Sequence, residues 1–177
     1  FNTEYLLCSS DSESMPVADL LAMEEGAAQK FQQVWLGYTE SQGSPALRAE
    51  ICRLYETMRP EEILVHTGAQ EAIFLFMFAA FKEFDHVIVH SPGYQSLAEV
   101  ARASGCDVSP WRAREENGWS LDLDELRHLM RTNTKAIILN TPHNPTGYLM
   151  ARDDYEAVHA FALEKDLLLF SDEVYRE

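Results

Sequence analysis

The feature that most constrains this chain is an alternation. Short apolar runs, each closed by a turn rich in glycine, proline, asparagine or aspartate, are separated by segments of helical periodicity. Ile63–Val65, Val87–Val89, Cys106–Ser109, Ala136–Leu139 and Leu167–Phe170 read as strands. Residues 69–81, 95–103, 123–130 and 152–164 read as helices, the third capped by Asp122. Strands alternating with helices of this length make βαβ units. The expected fold is therefore α/β, a mainly parallel sheet flanked by helices. In such sheets ligands bind beyond the carboxyl ends of the strands.

The first third reads differently. Phe1–Pro16 is polar and serine-rich (Ser9 to Ser14), like an arm. From Val17 to Leu36 the positions Leu20, Leu21, Ala27, Ala28, Phe31 and Trp35 recur at helical spacing. Residues 37–43 form a loop, after which Ser44 is the expected N-cap and Pro45 the first residue of a helix reaching about Thr57.

Composition narrows the function. Hydrophobic residues at 46% and charged residues at 24% are ordinary for a soluble globular protein. The net charge of −15 argues against nucleic acid or an anionic membrane surface as partner. Of the three cysteines, Cys52 and Cys106 lie in apolar surroundings as small core fillers, and with Cys8 they show no metal-like spacing. An odd, low count fits a reducing, cytoplasmic compartment. No apolar run is long enough to cross a bilayer. The chain opens without methionine and stops just after a motif, which reads as a piece of a longer protein.

Four turns converge on the carboxyl edge of the expected sheet. In Thr67-Gly68-Ala69-Gln70 a helix start offers free N–H groups and the positive end of its dipole, which suits a phosphate; an ordinary capped turn has the same pattern. The dinucleotide and Walker glycine patterns are both absent. Tyr94, after Pro92-Gly93, could stack on a flat ligand or serve the core. Asn140–Gly147 leaves a buried strand through two prolines and a glycine, presenting Asn140 and Asn144 rigidly. Asp172 ends an apolar strand, where a carboxylate is costly without a cation or several donors. A protonated heteroaromatic nitrogen would answer that need, and Tyr175 and Asn144 could donate to an oxygen on the same ring.

In this order and spacing, Thr67-Gly68-Ala69-Gln70, Pro92-Gly93-Tyr94, Asn144-Pro145-Thr146-Gly147 and Asp172-x-x-Tyr175 resemble the class I/II, fold type I aminotransferases that use pyridoxal 5'-phosphate. Tyr38-x-x-x-x-Gly43-x-Pro45-x-Leu47-Arg48 is similar to that family's earlier pattern, so the resemblance runs from about Val34 onward. It implies that residues 1–36 are an arm and helix and 37–177 part of the large cofactor-binding domain. It implies that Asp172 pairs with the pyridinium nitrogen and that Tyr175 and Asn144 hold the ring oxygen. Tyr94 would stack on the ring, and Gly68, Ala69 and Gln70 would hold the phosphate. Tyr38 would reach the phosphate of a neighbouring subunit in a homodimer with shared sites. Gly37 would contact the substrate carboxylate, and amino acids and 2-oxo acids would be the substrates.

The family's Schiff-base lysine has no counterpart here: Lys30, Lys82, Lys135 and Lys165 do not fit its position, so the chain alone is expected to be inactive. A β-lyase or cyclase on the same scaffold stays open, as does an aminotransferase-like sensor domain of a regulator, which the acidic charge disfavours. The remaining residues take plain readings. His86 and His90 are structural or surface, and His143 has no fixed duty in the family. Trp35, Trp111 and Trp119 pack; Glu115, Glu116 and Asp122 are solvated; Lys165 is a helix-end charge.

Overall fold

The computed structural model describes residues 4–5 and 13–176. The chain divides into two compact units, residues 1–63 and 64–177. The expected arm and Cys8 fall largely or wholly outside the described residues.

In the first unit the helical stretch from Val17 is two short helices, α1 (Val17–Ala22) and α2 (Ala27–Gln32), rather than one. Gly26 separates them at φ +77°, a left-handed conformation that glycine adopts without cost. Helix α3 (Pro45–Cys52) starts at the expected proline and stops short of Thr57; Ser44 occupies the cap position, but its side chain makes no capping bond. Arg48 ties this unit together, donating to the carbonyls of Gly43 (3.0 Å) and Pro60 (2.9 Å). Trp35 is 82% exposed, so it does not pack, and Cys52 is only partly buried.

The second unit is the expected α/β layer. Helix α4 (Ala69–Ala80) leads to β1 (His86–Ser91), α5 (Gln95–Ala103), β2 (Asp107–Arg112), α6 (Leu123–Leu129), β3 (Thr134–Asn140), α7 (Arg152–Glu164) and β4 (Leu168–Asp172). The strands form one sheet in the order β2-β1-β3-β4, and every pairing is parallel. Ile63–Val65 forms no strand. Its apolar character meets the pattern, but a strand also needs a hydrogen-bonding neighbour, and none pairs with it among the described residues. β2 runs past Ser109 through Pro110; it is an edge strand, where a residue without an N–H costs no ladder bond.

Side-chain alternation splits the core in two. On one face Val87, Val89, Ala136 and Ile138 pack under α4 and α5 with Ile73, Met77, Leu97 and Ala101, and Phe170 joins them. On the other, Ile88, Trp111, Ile137 and Leu139 pack with Leu126 of α6 and Val158 and Ala162 of α7. Each fully buried Ile, Leu or Val contributes about 1.5–3 kcal/mol. Trp111 is fully buried, and its indole N–H donates to the Asp122 carbonyl at 2.8 Å. Asp122 caps α6, accepting the Asp124 N–H at 2.8 Å. Cys106 belongs to the first cluster, as expected of a core filler.

The amino end of the sheet holds a closed polar network. His86, fully buried, bonds Thr134 Oγ1 through Nδ1 (2.7 Å) and Ser109 Oγ through Nε2 (2.8 Å). Arg131 donates from its backbone to Thr134 Oγ1 (2.8 Å) and from Nη2 to Ser109 Oγ (3.1 Å). Three strands are thus stitched by groups that leave no ring nitrogen of His86 unsatisfied.

Candidate functional site

The opposite end, at the carboxyl termini of the strands, is where the polar turns collect. Continuing the alternation, Ser91, Asn140 and Asp172 fall on the α4–α5 face, whereas His90, Leu139 and Ser171 fall on the α6–α7 face. Asn140 and Asp172 are register partners on β3 and β4. Asn140 Nδ2 donates to the Asp172 carbonyl at 3.0 Å, and its Oδ1 accepts the Asn144 N–H at 2.7 Å. One buried amide side chain therefore staples the Asn144 turn to the end of β4. Its rigidity was foreseeable from the prolines; its role as the staple was not, because Asp172 lies 32 residues away.

Asp172 is buried, and burial raises its carboxyl above the ordinary range while the Val174 N–H (3.2 Å from Oδ1) pulls the other way. No cation offsets that burial among the described residues. Tyr175 follows on the same turn and is 40% exposed. In the preceding loop the Gly147 φ of +72° provides the expected sharp turn, and both its X-Pro bonds, Thr141–Pro142 and Asn144–Pro145, are cis.

The starts of α4 and α5 are tied to each other. The Tyr94 hydroxyl donates to Gln70 Oε1 (3.1 Å), and Gln70 Nε2 donates to Ser96 Oγ (2.8 Å). Tyr94 itself is the residue preceding α5 and is 43% exposed, so its ring belongs to the surface rather than the core. Among the described residues no side chain caps α4, whose first N–H groups at Ala69 and Gln70 lie at the positive end of the helix dipole. Gly68 precedes them at φ +88°, with open space where a Cβ would stand. The Glu71 carboxylate takes the Thr67 N–H at 2.5 Å at this same turn. A cleft of about 180 Å³ beside Tyr94 is lined by Ser91, Gly93 and Gln95 but not by Asn144 or Asp172. Gly37 and Tyr38 belong to the first unit, where Tyr38 is fully exposed.

Sequence reasoning gave two side chains only plain readings. His90 and His143 are each 3% exposed, and their rings stack with centroids 3.8 Å apart at 17°. His143 Nδ1 bonds Thr146 Oγ1 (2.7 Å), but among the described residues its Nε2 and both nitrogens of His90 make no hydrogen bond of normal geometry. Burial, then the adjacent His143, pushes His90 down to about 3 against the opposing pull of the Asn140 backbone. Burial also lowers His143, with the Pro92 backbone acting in the other direction. Only the placing of His143 inside the Asn140–Gly147 turn could have flagged the pair.

A parallel sheet with helices over both faces, and a carboxylate, an asparagine turn and a free helix start at its carboxyl edge, define a fold type I frame. Residues 5–177 match the family described as aminotransferase class I and II. The chain belongs to that family. It is 35% identical over 160 residues to an aspartate aminotransferase of Sulfurisphaera tokodaii, spanning 86% of this chain and 40% of that one. The aspartate/prephenate aminotransferase of Thermus thermophilus is 32% identical over 158 residues, 86% of this chain and 41% of its own. The solved structure of a PLP-dependent aminotransferase from Streptococcus suis superposes with a TM-score of 0.85 at 37% identity, covering 92% of this chain and 44% of that one. The chain thus spans about 40% of the length of the curated relatives it matches. Among the described residues no helix is long and apolar enough to cross a membrane.

Proposed function

We propose that this chain is the cofactor-holding part of a pyridoxal-phosphate-dependent aminotransferase, which moves an amino group from an amino acid to a 2-oxo acid. The observation that carries the reading is the β3–β4 joint, where the buried Asp172 carboxyl meets, among the described residues, one N–H and no cation, opposite the stapled Asn144 turn. Such a carboxylate fits a cationic ligand, which would restore its ionised form. Pyridoxal phosphate carries a protonatable ring nitrogen, a ring oxygen and a phosphate, and when bound it supplies an electron sink at the substrate's α-carbon.

In this reading Asp172 keeps the proton on the ring nitrogen, and Asn144 and Tyr175 donate to the ring oxygen. Tyr94, held by Gln70, lies against the ring face. The Ala69 and Gln70 N–H groups hold the phosphate, with Gly68 leaving the approach open. Tyr38 serves the phosphate of a partner subunit in a cytoplasmic homodimer, and Gly37 the substrate carboxylate. The lysine that moves the substrate proton would come from the length of the relatives that this chain does not span.

Residues 1–177 by themselves are expected to bind pyridoxamine 5'-phosphate, which cannot react with surface lysines, and to show no turnover. Transamination by residues 1–177 alone would overturn the assignment of proton transfer to an outside lysine. A folded chain with no affinity for the probe would overturn the cofactor reading itself.

A further inference from the structure

We propose that the stacked His90–His143 pair is a positioning element, which sets the depth of the Asn140–Gly147 turn against the end of β1 and so places Asn144. The link to the cofactor rests on the function proposed above; the mechanical part stands on geometry alone.

Two imidazoles buried to 3% exposure, with three ring nitrogens lacking hydrogen bonds of normal geometry among the described residues, are costly. A neutral stack is what the rings gain in return, and it joins two segments more than fifty residues apart in sequence. His90 projects from β1 on the α6–α7 face, behind the edge that carries Asn140 and Asp172 on the other face. His143 is wired into the turn from every side. Its N–H donates to the Tyr148 carbonyl (2.9 Å), and its carbonyl accepts the Gly147 N–H (2.8 Å). Its ring bonds Thr146, whose oxygen also accepts the Tyr148 N–H at 3.2 Å. The next residue is Asn144, whose N–H the Asn140 side chain holds. A shift of the His143 ring is therefore passed through one peptide unit to Asn144. Gly93 closes the remaining side: a Cβ there would stand 2.9 Å from the His90 carbonyl oxygen and 3.5 Å from His143 Nε2. Only glycine lets the turn after β1 lie so close to the His90 backbone, from which one ring of the pair projects.

The test compares His90→Ala, which removes one ring, with His90→Phe, which keeps a flat ring and deletes only its nitrogens. Hydrogen exchange is followed at the Asn144 and Gly147 amides, with the Met77 amide of α4 as the control for global folding. Affinity for pyridoxamine 5'-phosphate is measured on the same samples. In His90→Ala the two turn amides are expected to lose protection about tenfold and the affinity to fall by a similar factor, with Met77 unchanged. His90→Phe is expected to restore both to within about twofold of the native chain. Gly93→Ala, which crowds the His90 carbonyl and so shifts the backbone that carries one ring, is expected to loosen the same amides, and it decides the matter if His90→Ala does not fold. Unchanged protection at Asn144 and Gly147 in both His90→Ala and Gly93→Ala overturns the proposal. Loosened amides with unchanged affinity overturn the link to Asn144 as a cofactor contact. If the native chain does not take up the probe, the functional reading fails, and the amide result still decides the stack.

Discussion

Strand β1 carries two buried histidines on one face, four residues apart, in opposite circumstances. His86, at the amino end of the sheet, has both ring nitrogens bonded to hydroxyls that Arg131 in turn organises. His90, at the carboxyl end, is as deeply buried and, among the described residues, makes no hydrogen bond of normal geometry, resting instead against a stacked neighbour. The contrast extends to the two ends as a whole. The amino end is a closed network whose purpose is to hold three strands in register. Among the described residues, the carboxyl end collects groups whose needs the fold leaves open: an Asp172 carboxyl without a cation, and the α4 start without a side-chain cap. Closed networks stabilise, and open ones are where a ligand has something to gain.

The contrast can be broken most decisively at His86. His86→Ala leaves Thr134, Ser109 and Arg131 with broken bonds around a cavity and is expected to cost about 3 kcal/mol in urea unfolding. A cost below about 1 kcal/mol would mean that the network is ornamental. Asn140→Ala, which removes both staples of the β3–β4 joint, is expected to cost about 2 kcal/mol by the same measurement and to loosen the Asn144 amide.

Acid sharpens the comparison further. His86, His90 and His143 all sit below the ordinary value of 6.5 in the folded state, chiefly through burial. The unfolded chain therefore binds more protons, and their contribution is complete above pH 6.5 and lost as the pH falls, for His90 as far as about 3. Each histidine adds up to about 1.4 kcal/mol per pH unit over its window. Asp172 has the opposite sign. Its folded value lies above 3.8, so its contribution is present below that value and lost as the pH rises through the folded one. Urea titrations from pH 7 to pH 4 should show the native chain losing stability, and His90→Leu losing less. At pH 7 His90→Leu is the smallest expected effect, within about 1 kcal/mol of native, because no hydrogen bond is broken. Equal costs for His86→Ala and His90→Leu would erase the distinction between the two ends.

Much of this fold was legible, because helix signals are local. Helices α5 and α7 begin and end where periodicity placed them, and Asp122 caps α6 as its position before Leu123 implied. The strands bearing the turns were found from apolar runs that the buried centre of a parallel sheet requires. Most of what failed was non-local. Ile63–Val65 has a strand's composition but lacks a neighbour to pair with. The helical period across Val17–Leu36 continues through Gly26 although the backbone does not. Four-residue spacing on a strand puts His86 and His90 on one face, but Thr134, Ser109 and His143, which give them their different fates, arrive from distant segments. The candidate cofactor contacts were readable as a set only because four short turns sit at one edge; Asn140, the residue binding two of them together, looked no different from its neighbour Asn144.

The most direct measurement is the protonation of the ring nitrogen in pyridoxamine 5'-phosphate labelled there with ¹⁵N and bound to this chain at pH 7.5. The account predicts a protonated nitrogen in the native complex. It also predicts that Asp172→Asn shifts the nitrogen to its unprotonated frequency and weakens binding by about tenfold or more, while the unliganded variant unfolds at higher urea. A bound ligand whose nitrogen signal and affinity are the same with and without the Asp172 carboxylate would contradict it.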